Sequence, residues 1–214
     1  MKKEAKVSCW KEKGRWALIT ILSLVVIHFL LVNFSYLFGM DQIVFSLSNL
    51  IFSVLIIGFV YFMDCKFDIE FKKRHYFFAA FIVLSGWMLS PLYSAYINYD
   101  KVLHFFQPMM LSSIILHMMK KAEIKPKWKI VLTFFIVTSL IGLFEIAEFG
   151  LDRLFNMQLQ GVFLSGLKKA NKLHMIMDPL SDTHMDLIVG YLGSLIYAVF
   201  MTISLRKHKR IFTQ

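Results

Sequence analysis

A chain of 214 residues with 57% hydrophobic content and a formal net charge of +10, at a mean hydropathy of +0.61, is too apolar for an ordinary soluble domain. Its apolar residues run in long blocks, which predicts an all-α polytopic transmembrane helical bundle. The excess charge lies between those blocks, so it reads as a topology signal with some attraction to anionic lipid headgroups, and no nucleic-acid partner is expected.

Six transmembrane helices are predicted, over 16–38, 43–63, 76–95, 102–119, 130–151 and 185–205, with a basic arm over 1–15 and a basic tail over 206–214. The arm and first block resemble a signal sequence, but no small-residue cleavage site follows, so a retained first helix is expected. Of the 24 Lys and Arg residues, 19 fall in the arm, in 64–75, in 120–129 and in the tail. Cytoplasmic segments retain basic residues, so both termini are expected in the cytoplasm, with the protein in the cell membrane. Cys9 and Cys65 then lie on the reducing side, and no disulfide is expected.

In chain order, the first helix carries His28 and Asn33, read as polar side chains that bridge helices. The short turn Gly39-Met40-Asp41-Gln42 predicts a hairpin into the second helix, where Ser46, Ser48, Asn49 and Ser53 favour close packing. Residues 64–75 mix both signs of charge and read as a solvated connection, with Tyr61 and Tyr76 as interfacial anchors. In the third helix Pro91 is expected to kink the outer end, before Tyr93, Tyr96 and Tyr99 mark the opposite interface.

The fourth helix opens with Asp100 and His104, four apart and so on one face, and Pro108 has no N–H for the carbonyl of residue 104. The fifth ends in Phe-Glu-Ile-Ala-Glu-Phe-Gly-Leu-Asp, whose Glu145, Glu148 and Asp152 share a face. Glu145 lies about two turns inside the apolar stretch and is the hardest of these to explain as surface. A connection over 152–184 follows, whose apolar residues and Lys168-Lys169 pair suggest an interfacial or re-entrant helix, a candidate lid over the acids. Before the sixth helix, Asp178 ahead of Pro179 would serve an earlier helix start, while Thr183 with Asp186 fits a capping box; Gly190 and Gly193 then allow close packing.

Asp100, His104, Glu145, Glu148, Asp152, Asp182 and Asp186 thus gather at one side as candidate metal ligands, with Glu145, Glu148 and Asp182 also as candidate catalytic acids or bases. So many acids need a proton, a partner such as Lys101 or Arg153, or a bound cation. The signatures of zinc proteases, serine hydrolases, Walker nucleotide sites and dithiol enzymes are missing from the sequence.

The strings YDKVLHF, FEIAEFGLDRLFNMQLQG and DPLSDTHMDLIVGYLG resemble the pattern of bacterial polytopic proteins described as membrane-spanning, and more loosely VanZ-like membrane proteins. The resemblance covers about the C-terminal half and implies a shared role for Asp100, His104, Glu145, Glu148, Asp152, Gln160, Asp182 and Asp186. It gives none to His184, and it implies no particular activity. Three functions fit the cluster. One is a metal-dependent enzyme acting on a lipid or lipid-linked substrate, with a divalent ion as cofactor and the bilayer as partner. The others are a proton- or cation-coupled transporter and a structural or assembly protein.

Overall fold

The computed structural model describes residues 2–37, 47–93, 95–155, 159–164 and 174–211. Among them are six α-helices, α1 (Lys2–Leu37), α2 (Leu47–Phe67), α3 (Lys73–Val83), α4 (Tyr99–Met118), α5 (Pro126–Phe155) and α6 (Pro179–Ile211). A two-stranded antiparallel pair, β1 (Val162–Leu164) and β2 (His174–Met177), joins the last two helices. The chain divides into two compact units, one running through Ala95 and one that begins at Tyr96 and holds α4, α5, α6 and the strands.

Among the described residues, four stretches are long and apolar enough to cross a membrane: Asn49–Phe67, Tyr99–Lys121, Pro126–Phe155 and Pro179–Lys207. Six crossings were expected. Ala17–Asn33 inside α1 is a shorter apolar stretch, and the expected third span is broken. After α3 the backbone passes through a π-helical turn over Leu84–Met88 and a 3-10 turn over Ser90–Tyr93. A proline at 91 offers no N–H to the turn before it, so the disruption spreads further than the kink expected there.

In the first unit, the connection over 64–75 leaves Lys66, Asp68, Glu70, Lys72, Lys73 and Arg74 exposed but buries Asp64 fully. Its carboxylate accepts the Phe71 backbone N–H (3.0 Å) and the Tyr76 hydroxyl (2.5 Å), and its carbonyl accepts the Ile69 N–H (3.1 Å). Asp68 (φ 53°) and Glu70 (φ 61°) adopt left-handed backbone, which lets the chain fold back onto that carboxylate. Asn49 reaches from α2 to the Ser90 hydroxyl at 2.9 Å, so part of the polar face of α2 is spent on packing.

The second unit shows why its sequence alternates as it does. Helix α5 buries Ile130, Thr133, Val137, Ile141 and Glu145, a helical stripe whose last member is an acid. Helix α6 buries Asp182, Asp186, Gly190, Gly193 and Ser194, and α4 buries Leu103, Pro108, Ser112 and Ser113. Outward positions such as Phe135, Leu143, Ile146, Ile188, Leu192 and Phe200 are apolar and exposed, as a lipid-facing surface requires. Each inward face therefore runs from ionisable groups at one end to small or apolar groups beyond.

Glycine makes this packing close. A Cβ on Gly193 would stand 2.2 Å from the Phe105 carbonyl oxygen, and one on Gly190 would stand 3.0 Å from the Ile141 side chain. The connection over 152–184 was expected to be an interfacial or re-entrant helix, but its described part contains β1 and β2 instead, with a register irregularity between Val162 and Phe163. The turn at 39–42, the Lys168-Lys169 pair and residues 156–158 and 165–173 of the expected lid lie outside the described residues.

Gly193→Ala should lower thermal stability by about 1–3 kcal/mol, because the added methyl meets backbone. Gly142→Ala, with nothing within 4 Å of the added atom, should melt at or above the wild-type temperature, as a helical Gly-to-Ala change does. Equal melting of the two variants by circular dichroism would contradict the close approach of α4 and α6.

Candidate functional site

The first turns of α4 and α6 meet the last turns of α5, and each brings ionisable side chains to that end of the unit. On α4, Asp100, Lys101 and His104 lie within about one turn. On α6, Asp182 and Asp186 are four apart and both buried, at 4% and 2% exposure. Their common target is the Lys101 ammonium.

Lys101 Nζ donates to Asp100 Oδ2 (3.0 Å), to Asp186 Oδ1 (2.7 Å) and to Asp182 Oδ1. An ammonium has three donors, and all three are engaged here. Counting only these four groups in their ionised forms, the cage retains two negative charges. Lys101 entered the sequence reading only as a possible partner for the acids. Its signal was there all the same, since it is one of the few basic residues that stand away from the basic arm, loops and tail.

His104 stands beside the cage. Its Nε2 is 3.4 Å from Asp100 Oδ1, and its Nδ1 is 3.8 Å from Glu145 Oε1 and 4.0 Å from Asp186 Oδ1. One donor atom from each of Asp100, His104 and Asp186 lies within 4.8 Å of the others. Asp100 faces Nε2 whereas Glu145 and Asp186 face Nδ1, so an ion on this ring would take one nitrogen only and leave the other to the carboxylate on its own side.

Glu145 is 4% exposed, and neither of its carboxylate oxygens has a hydrogen-bond partner, although Thr183 is near enough to influence it. Leaving a buried carboxylate unsatisfied costs at least 1–3 kcal/mol by the usual mutational scale, roughly, so the group is positioned for a further proton, donor or cation. Glu148, one turn further along α5, is half-buried.

Two of the seven expected ligands accept backbone N–H groups. Asp152 accepts the N–H groups of Leu159 (2.7 Å) and Gln160 (2.8 Å), so both of its oxygens are committed. Asp182 divides itself between Lys101 and the Gly161 N–H, at 2.8 Å from the latter. Gln160 Nε2 donates to the Thr183 hydroxyl at 2.9 Å, and Gly161 adopts φ 90°, which favours glycine where the chain turns into β1.

The expected capping box of Thr183 and Asp186 is absent among the described contacts, because α6 begins earlier. Asp178 caps it, accepting the N–H groups of Leu180 and Ser181 at 3.1 Å each. Hydrogen bonds from Ser181 hold the exposed Asp178 carboxyl below the usual carboxylate range. His184 is exposed and lies outside the cluster.

Lys101→Met should destabilise the unit by about 3–5 kcal/mol, the cost of removing one member of a buried charge network. Asp152→Ala should mainly free the Leu159 and Gln160 amides, read as faster hydrogen exchange at those two positions. A Lys101→Met variant that melted like wild type would show that the carboxylates do not depend on the ammonium.

No curated protein and no solved structure matches the chain, and nothing in these comparisons supports the looser VanZ-like resemblance. A family model described as "Predicted membrane protein (DUF2238)" matches residues 6–207. With nearly the whole chain matched, and with long apolar helices that enclose polar inward faces, this protein belongs to the DUF2238 family of predicted membrane proteins.

Proposed function

We propose that this membrane protein holds a divalent cation on Asp100, His104 and Asp186 and uses it to act on a lipid or lipid-linked substrate. The observation that carries this reading is the convergence of three ligand atoms within 4.8 Å beside the unpartnered, buried Glu145. Carboxylate and imidazole together suit zinc, manganese or iron. A divalent ion held by Asp100, His104 and Asp186 would supply Lewis acidity for hydrolysis; Glu145 is the chain's own base, placed to take the proton of an attacking water and to return it to the leaving oxygen as the ester or phosphoester bond breaks. A site at the polar end of apolar helices suits a molecule with a polar headgroup and an apolar tail.

Orientation belongs to the same proposal. The bias of 19 of 24 basic residues towards the arm, tail and two connections supports both termini in the cytoplasm. The site would then face the outer leaflet of the cell membrane.

Elemental analysis of gently purified protein should find one metal per chain, lost in Asp100→Asn and His104→Ala and kept in Glu145→Gln. Incubated with a total lipid extract, wild type should generate new lipid species by mass spectrometry, and Glu145→Gln at least 100-fold fewer, by the usual worth of a general base. A folded wild-type protein free of metal would overturn the reading.

A second reading, coupled proton transport, draws on the placement of the imidazole, whose two nitrogens face Asp100 and Glu145. It predicts a proton flux in liposomes that Glu145→Gln abolishes. An unchanged flux in that variant would remove the relay.

A further inference from the structure

The ammonium of Lys101 occupies a place that is itself built like a cation site. Carboxylates from two helices surround it, Asp100 from α4 with Asp182 and Asp186 from α6, and all are largely buried. Asp100 directs Oδ2 to the ammonium and Oδ1 to His104, so a single carboxylate faces both the cage and the proposed metal position. Asp186 Oδ1 contacts Lys101 and stands 4.0 Å from His104 Nδ1, the other nitrogen of the ring. Carboxylates shared in this way between adjacent cations are the architecture of two-metal sites, whose ions lie about 3.5–4 Å apart.

An acidic cluster alone would not identify such a site. The independent observation is Glu145, buried, without a hydrogen-bond partner, and 3.8 Å from His104 on the side away from Asp100. Charge points the same way, because the two negative charges left over by Lys101 and its three aspartates equal what one divalent ion supplies. The ammonium has no donor left for a substrate, so Lys101 acts as a positioning residue.

We propose that Lys101 is a tethered cation filling the second position of a two-cation carboxylate site, so that the wild-type chain takes one divalent ion and a chain without the ammonium takes two. This rests on the metal reading above for the first ion. The second position, made by Asp100, Asp182 and Asp186, is an inference of its own.

The test uses full-length protein in detergent, with Mn2+ as the probe, and reads stoichiometry together with the electron paramagnetic resonance spectrum. Wild type should bind one Mn2+ with an isolated-ion spectrum. Lys101→Met, purified with Mn2+ present, should bind two, show a spin-coupled pair and recover thermal stability on adding Mn2+. The double variant Lys101→Met/Asp182→Asn should return to one ion, since Asp182 contributes to the second position and not to the first. With one ion in wild type, a single ion in Lys101→Met, or failure of that variant to fold with Mn2+ present, overturns the proposal. Two ions in wild type would overturn it as well. No ion in wild type but one in Lys101→Met would retire the metal-enzyme reading while upholding the cage. No ion in either folded protein retires both.

Discussion

Everything at the polar end of the second unit follows from the cost of burying charge. A carboxylate inside apolar surroundings loses its hydration and must find compensation within the chain. Here a single ammonium serves three aspartates from two helices, which fixes α4 and α6 relative to each other at that end. The arrangement is strong in geometry and short of positive charge. Glu145 enlarges the deficit, because it is buried alongside without a hydrogen-bond partner. The candidate chemistry arises from this imbalance, since a balanced ion-pair network would have little reason to recruit anything further.

Further along the same helices, steric fit takes over from electrostatics. Gly190 and Gly193 bring α6 against the backbone of α4 at His104 and Phe105. Pro108 contributes from the other helix by leaving the His104 carbonyl without an N–H partner in the next turn. The close packing thus falls on the same turn of α4 that carries His104. Helices with bulkier contacts would separate the carboxylates and leave the ammonium with fewer partners.

Much of this was legible because charge inside an apolar run is conspicuous. Asp100, His104, Glu145, Asp182 and Asp186 each stand out by helical spacing, and the structure places them at one end of one unit. What spacing could not show was how each acid is used. Asp152 looks like the continuation of the Glu145 face, yet it holds the amides of 159 and 160, a use that depends on where the chain goes after α5. Asp64 reads as one charge among many in a mixed loop, and only left-handed backbone at Asp68 and Glu70 folds that loop onto it. The broken third segment was partly legible from Pro91, but the width of the break was not, because a π-helical turn leaves no periodic mark in sequence. The strands escaped notice for a similar reason, being three and four residues long within a segment whose composition favours no single period.

Asp182 has one oxygen on the Lys101 ammonium and the other on the Gly161 amide, so a single side chain belongs both to the buried cage and to the loop entering β1. That makes the two parts energetically reciprocal. Any influence that pulls the loop away also removes a carboxylate from the ammonium, and any rearrangement around the ammonium alters how firmly the loop is held. With Asp152 gripping the preceding two amides, the loop works as a latch whose inner bolt is part of the charge network. Displacing the loop at residues 159–161 is thus felt among the buried acids with no change in the helices themselves.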